Sequence, residues 1–171
     1  MAEPITSSED LFRARLRQML WVELKLADEV LPQLLEQASS TDLRYAFERH
    51  LGETQGHVRA LRGILSELQV HAEPEPSPAL QGLVTEHEQL VKRIEGDGHL
   101  ASDLAHAQAA AATEHLEMAA YDALASTAEA LGEEAVAIRL RELMEQEELA
   151  LEFVDRAATK LLAEKVESER L

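Results

Sequence analysis

Apolar side chains recur at alternating steps of three and four residues in four long segments of the chain. This spacing places them on one face of an α-helix. We therefore predict long helices over about residues 8–37, 41–70, 100–130 and 133–166. Pro32 lies inside the first of them, where it should kink the helix or divide off its last turn.

The connections between these segments predict how the helices are arranged. A short polar connection precedes the second helix, which Thr41 or Asp42 can cap, and Gly132 can close the third. The second and third helices are separated by 71–99, which contains three prolines and then an amphipathic segment over 79–94. A bundle made of two antiparallel pairs often has one such long crossover.

The pattern as a whole predicts one all-α domain over residues 1–171. We expect an antiparallel four-helix bundle whose long crossover contains a short fifth helix. The tails, 1–7 and 167–171, are polar or charged and should be loose.

Each long helix carries a glutamate on or beside its apolar line, and these are Glu23, Glu53, Glu114 and Glu147. Burying one ionised carboxylate costs several kcal/mol, and grouping four adds repulsion. Protons, basic partners or a bound cation could offset that cost, but the four apolar lines contain no Lys or Arg. A metal site is therefore the leading interpretation. The alternative is that these side chains lie at the edge of their lines and reach water.

Four further residues could take part in such a site. His57 and His50 flank Glu53 on one face of the second helix, and either could ligate a metal or be a hydrogen-bonded core histidine. Glu117 lies one turn after Glu114 and could add a ligand or face water. Tyr121, on the same line, could donate a hydrogen bond to a ligand or be an ordinary core tyrosine.

The amino-acid composition restricts the kinds of molecule that the protein is expected to bind. The chain has 33 acidic residues against 16 basic ones, a formal net charge of −17, which disfavours nucleic acid and anionic membranes and favours cations. It has no cysteine, which excludes disulfides and Cys-based metal sites. The first residues lack the basic and apolar regions of a secretion signal, and no segment approaches a membrane span. We expect a cytoplasmic protein that binds neither nucleic acid nor membrane.

In ferritin-like bundles, two helices each give one Glu and two others each give a Glu with a His three residues later, enclosing two metal ions. Glu23 and Glu114 fit the single-Glu roles, whereas Glu53 and Glu147 are followed at that distance by Gly56 and Ala150. An oxygen-rich site with few histidines suits iron or manganese. We expect two divalent ions, iron or manganese, with zinc as a replacement in isolated protein.

Several segments resemble the YciE/YciF group, small bacterial stress-associated proteins with a ferritin-like, rubrerythrin-related bundle. They are SEDLF, FERHLGETQGH, EHLEMAAYDALASTAEALG and MEQEE, and the likeness covers about residues 8–162. It implies a dimeric bundle with a dinuclear metal centre. Five glutamates match the acidic positions of the group, while His57 stands where many members have Gln; the five are Glu23, Glu53, Glu114, Glu117 and Glu147.

Two functions remain open from the sequence. One is a di-iron or di-manganese oxidoreductase that handles peroxide, dioxygen or iron under stress. Without cysteine it lacks the iron domain that supplies electrons in rubrerythrins, but a manganese-catalase-like dismutation needs no electron donor. The other is a structural and interaction module that dimerises, binds no metal or a single ion, and has no catalytic activity. In either case Trp21, Leu24 and Leu35 form a second apolar line on the first helix, which predicts a homodimer.

Overall fold

The computed structural model describes residues 4–96 and 98–168, and all regular structure in this part of the chain is helical. The α-helices are α1 (Ser8–Lys25), α2 (Leu31–Gln37), α3 (Thr41–Glu67), α4 (Pro78–Val91), α5 (His99–Ala130) and α6 (Glu134–Ser168), and a π-helical turn, Leu26–Val30, joins α1 to α2. The predicted all-α bundle, with a fifth helix in the crossover, is confirmed. Within the described residues, no helix has the length and apolar character needed to cross a bilayer.

The break in the first long helix lies beside Pro32, as predicted. Proline has no N–H to donate to the carbonyl four residues earlier, and its ring would clash with that carbonyl. The chain widens just before it, where Leu31 N–H donates to Leu26 O in an i to i+5 bond. The π-turn therefore holds about one residue more per turn than an α-helix, and α2 resumes α-helical geometry at Leu31.

Serine side chains cap α1, α3 and α4, the last through Ser77. Ser7 Oγ accepts a bond from Asp10 N (3.1 Å) and opens α1. Ser40 Oγ accepts a bond from Leu43 N (3.4 Å) and opens α3, so the prediction of Thr41 or Asp42 as the cap was wrong. The reason is that the extended backbone ends at Ser40, one residue earlier than expected.

A buried carboxylate fixes the turn between α2 and α3. Asp103, on α5, is only 3 % exposed and accepts bonds from Ser39 N (2.8 Å) and Ser40 N (2.9 Å). These two N–H groups would otherwise be unpaired at a helix start. The bonds tie the first hairpin to the middle of the bundle.

The helices α3 and α5 end with the same backbone conformation but with different residue types at the left-handed position. The ends of α3 and α5 both place one residue in the left-handed region, Gln69 at φ 55° and Gly132 at φ 83°. In each case the following N–H donates back to a carbonyl five residues earlier: Val70 N to Leu65 O and Glu133 N to Ala128 O. Glycine adopts this conformation freely, whereas glutamine does so at a cost.

The core contains most of the predicted apolar lines, including Leu16, Phe47, Leu61 and Leu140, each at most 1 % exposed. The second line of the first helix, Trp21, Leu24 and Leu35, is half-buried and packs against this core. Of the predicted loose tails, residues 1–3 and 169–171 lie outside the described residues. Residues 167–168, also predicted as tail, belong to α6.

Candidate metal centre

Acidic and imidazole side chains are buried together midway along the bundle. α1, α3, α5 and α6 all contribute, because each places a polar residue on the face that its apolar neighbours turn inward. The six residues, each at most 4 % exposed, are Glu23, His50, His57, Glu114, Glu117 and Glu147.

These residues form two adjacent groups that share one glutamate. In the first group, His50, Glu114, Glu117 and Glu147 each offer one ligand atom, and the four atoms lie within 4.8 Å of one another. In the second, Glu23, His57 and Glu147 do the same. Glu147 therefore lies between two positions, each of which could hold a cation.

Most polar atoms of the first group have no hydrogen-bond partner among the described residues. Both oxygens of Glu117, both oxygens of Glu147 and both nitrogens of His50 are unpartnered, as is Glu114 Oε2. In the second group, Glu23 Oε2 is unpartnered as well. His50 Nε2 lies 3.2 Å from Glu114 Oε1, yet the two are not aligned as a hydrogen bond. Buried polar groups in folded proteins nearly always have partners. Carboxylate oxygens and imidazole nitrogens converging in this way fit a divalent metal such as iron or manganese.

The surroundings disfavour the charged form of the acids on α5. Burial first, and then the neighbouring charge of Glu147, raises the pKa of Glu114 and of Glu117 well above the usual value. Burial also raises the pKa of Glu23, to about 7, against the hydrogen bond from His57. Without a cation, burial and mutual repulsion therefore favour the protonated form of Glu114 and Glu117.

His57 supplies positive charge to the second group. Burial alone would lower the pKa of its imidazole, but hydrogen bonds to Glu147 and Glu23 outweigh this and raise the pKa to about 11. Its Nδ1 lies 2.8 Å from Glu147 Oε1 and 3.3 Å from Glu23 Oε1. Its Nε2 lies 3.0 Å from Gln146 Oε1. An imidazolium donating from both nitrogens fits this position, and a neutral imidazole could ligate a metal through Nδ1.

Tyr121 lies where the sequence predicted a donor to the ligands. Its hydroxyl donates to Glu23 Oε1, and the side chain is fully buried. Burial and the charge of Glu23 raise the pKa of the Tyr121 hydroxyl well above 10, so it keeps its proton. The bond fixes one oxygen of Glu23 and leaves Oε2 directed elsewhere.

Glu53, predicted as a metal ligand, lies outside both groups. Arg49, one turn earlier, donates to Glu53 Oε1 from Nε at 3.0 Å and approaches it from Nη2 at 2.8 Å. The Arg49 guanidinium also stacks on Phe153, 4.0 Å from the ring centroid. The free Glu53 Oε2 comes no closer than 4.0 Å to His50 Nδ1. The edge position on α3 lets an arginine reach this glutamate.

Gln146 and the full burial of Glu117 were not predicted from the sequence. Gln146 belongs to an acidic run that was interpreted as solvated apart from Glu147. It follows Leu143 by three residues and precedes Ala150 by four, which puts it on the border of the buried face. That spacing was the available signal. The exposed neighbours Glu145 and Glu148 do face solvent as expected.

The family comparison bears on the whole bundle. A family model described as a domain of unknown function, DUF892, matches residues 7–167. The chain belongs to the DUF892 family. Protein YciF of Escherichia coli K12 is 31 % identical over 140 residues, which cover 81 % of this chain and 82 % of that protein.

Solved structures of DUF892-like bundles agree with this assignment. The structure of the E. coli stress protein YciF has a TM-score of 0.85 at 28 % identity and covers 93 % of this chain and 99 % of its own. YcfI of Rhodopseudomonas palustris, described as a candidate structural protein, has a TM-score of 0.78 at 28 % identity and covers 94 % and 96 %. A protein of Xanthomonas campestris, 22 % identical with a TM-score of 0.72, supports the fold alone.

This DUF892 chain is therefore a YciF-like helical bundle with buried acidic and histidine groups that could hold a metal.

Proposed function

We propose that this DUF892 protein is a di-metal carboxylate protein that holds iron or manganese and handles peroxide, dioxygen or iron under stress. The observation that supports it most is the pair of buried ligand groups joined at Glu147. Carboxylates without partners at this depth would be costly in a protein that bound no cation.

Each of the two ligand groups would hold one ion. His50, Glu114 and Glu117 would hold one ion, and Glu23 and His57 the other, with Glu147 shared. Bound iron or manganese would supply the capacity to exchange electrons with peroxide or dioxygen. Glu53 serves instead as a partner of Arg49 at the edge of the centre.

The protein's own residues would hold protons around such a centre. The Tyr121 hydroxyl and its bond to Glu23 keep one proton next to the second group. His57, bonded to Gln146, can carry or release another. Leu20, one turn before Glu23, and Ala125, one turn after Tyr121, are both fully buried, so bulk water does not reach their helix faces beside this group.

A metal-free structural module is the second candidate, and His57 is the observation that favours it. Its imidazolium lies between Glu23 and Glu147 and offsets part of their charge without an ion. The description of the R. palustris relative as a candidate structural protein fits the same function. A homodimer and a cytoplasmic location stay expectations under both candidates.

Elemental analysis separates the two. The full chain would be purified without chelators from cells grown with both iron and manganese, and its metal content and melting temperature measured before and after chelation. The di-metal proposal predicts about two ions per chain and a lower melting temperature after chelation. Traces of metal and unchanged melting would favour the structural module.

A further inference from the structure

A cavity of about 240 Å³ leads from the surface to the proposed metal centre. It lies between the π-turn with α2, the crossover helix α4, and α5. Its inner end is formed by His50 and Glu114, both buried. The first and last residues of the π-turn, Leu26 and Val30, belong to its wall. π-turns of this kind are frequent at functional sites.

The lining changes from polar to apolar with depth. Exposed polar residues, Gln33, Gln37, Glu88 and Lys92, surround the mouth. The walls below are mostly aliphatic side chains of the π-turn, α2, α4 and α5, with Thr113 and His87 among them. His87 Nε2 already has a partner in His106 Nδ1 at 2.9 Å. The inner end of the described cavity has the ionisable groups of His50 and Glu114. A pocket of apolar walls with a few convergent polar atoms is typical of a small-molecule site.

Charge excludes ionic occupants. An anion would have to pass Glu88 and approach Glu114, in a protein of formal net charge −17. Lys92 offers little compensation, because it is exposed and lies 3.8 Å from Glu88. An organic cation would lose its hydration against aliphatic walls that cannot replace it. The occupant that fits is neutral.

Volume and the atoms at the floor define the occupant further. An apolar cavity of about 150 Å³ is enough to bind benzene, so this larger one admits an apolar body with a substituent. At the floor of the metal-free protein, Glu114 Oε2 can accept a hydrogen bond and the His50 nitrogens can donate or accept one, and none of these atoms has a partner among the described residues. A hydroxyl or hydroperoxyl group satisfies both.

We infer that this cavity binds a neutral hydrocarbon molecule carrying a terminal hydroxyl or hydroperoxyl group, with that group directed at His50 and Glu114. An arylalkyl alcohol or hydroperoxide of about nine carbons has this form. The inference rests on the proposed function in one respect: the oxygen end would face the first metal position, which makes an organic hydroperoxide the substrate class.

Binding of an unreactive probe tests the inference without relying on metal chemistry. Isothermal titration calorimetry of the full chain with 2-phenyl-2-propanol should show saturable binding at one site. Its carboxylate analogue, 2-phenylpropanoate, should bind at least tenfold more weakly because of the charges described. Absence of saturable binding of the alcohol, or equal binding of the carboxylate, would overturn the inference.

Two matched variants locate the site. Ala109→Leu fills the cavity from α5 and should weaken binding at least tenfold. Ala120→Leu makes the same change on the same helix, but in a separate groove between α1 and α5, and should leave binding within twofold. If Ala109→Leu does not fold, Val84→Phe on α4 fills the same cavity. Equal effects of the two leucines would contradict the assignment.

Metal analysis distinguishes failure of the inference from failure of the proposed function. Alcohol binding to a protein that takes up no metal would support the inference about the cavity and contradict the proposed di-metal centre. A protein that holds about two ions per chain but does not bind the alcohol would support the proposed di-metal centre and contradict the inferred organic substrate.

Discussion

Glu117 is the residue of the cluster whose burial is least offset by hydrogen bonds in the metal-free protein. It is fully buried, and neither of its oxygens has a hydrogen-bond partner among the described residues. Its pKa is raised first by burial and then by the charge of Glu147. Because its folded pKa exceeds its unfolded value, the stability associated with this group is present below about pH 4.5 and is lost as the pH rises.

Replacing Glu117 with glutamine should therefore stabilise the metal-free protein and weaken the binding of metal. Metal-free Glu117→Gln should be more stable than the parent at pH 7 by at least about 1 kcal/mol, because the parent must take up a proton at Glu117 on folding, at a pH above the unfolded pKa, and glutamine removes that cost. Its stability should also fall less between pH 5 and pH 8. Metal binding should weaken, since one ligand is lost. Urea unfolding with chelator and metal titration measure these effects.

The exposed acid Glu145 provides the control for this comparison. Glu145→Gln should leave both stability and metal affinity nearly unchanged. A metal-free Glu117→Gln protein less stable than the parent would mean that the carboxyl has a structural hydrogen bond and would contradict the prediction.

Among the helices, α5 shows where sequence patterns stop being informative. The other long helices alternate large apolar and charged residues, so their buried faces could be predicted. α5 has alanine on every side, with Ala105, Ala110 and Ala111 in different directions. Met118 is only half-buried, whereas Glu117, one position earlier, is fully buried. Small residues allow several rotations, and the partner helices decide which one forms.

Local contacts explain the other differences. The sequence predicted Glu53 at the level of the cluster, but nothing in the apolar pattern showed that Arg49 would turn towards it. The spacing left open which histidine would ligate, and the structure places His50 in the four-residue group and His57 in the other. Both outcomes depend on side-chain directions around α3, which residue spacing does not determine.

The end of α3 offers a test of helix termination. Gln69 adopts a left-handed conformation that costs about 1 kcal/mol for a residue with a Cβ. Gln69→Gly should raise the free energy of unfolding by about 0.5–1 kcal/mol. At the equivalent end of α5, Gly132→Ala should lower it by about the same amount. Denaturant unfolding of both variants checks the pair, and a loss of stability in Gln69→Gly would contradict this interpretation.

The crossover helix should respond to acid. His87 Nε2 on α4 lies 2.9 Å from His106 Nδ1 on α5, and Ser102 Oγ lies 3.1 Å from His106 Nε2. Burial lowers the pKa of both rings, with Glu88 opposing it at His87 and Asp103 at His106. Their folded pKa values lie below the unfolded ones, so stability is present above about pH 6.5 and is lost as the pH falls.

Hydrogen exchange measures this effect directly. After correction for intrinsic rates, amides of α4 should exchange faster at pH 5 than at pH 7.5, because protonated rings repel each other at the contact. The variant His106→Gln should show a smaller difference between the two pH values. Equal protection of α4 at both pH values in the parent protein would contradict the prediction.

For the whole molecule, the expected homodimer depends on apolar surface that is smaller than the sequence suggested. Leu24 and its neighbours are half-buried against the core. We still predict a dimer by light scattering at micromolar concentration. Leu24→Lys should give a monomer, because a lysine in an interface loses its hydration. Ile138→Lys, at a site 59 % exposed on α6, is the control and should stay dimeric. A monomeric parent protein would contradict the expectation.

The fold of the molecule was the most predictable property, because four segments with helical periodicity and one long crossover can be arranged as a bundle in only a few ways. The position of the cluster was also predictable, since buried acids on α1, α5 and α6 have little reason to be there without one another. The division into two groups around Glu147 depends on how the helices pack, and only the structure shows it.

The metal content of Glu147→Gln tests the central claim most directly. Glu147 is the residue common to both groups, whereas Glu148 is its exposed neighbour in sequence. Protein prepared without chelators should contain about two ions per chain in the parent and in Glu148→Gln, and about one or fewer in Glu147→Gln. A parent protein with only traces of metal, or a Glu147→Gln variant that retains the parent content, would contradict a shared di-metal centre.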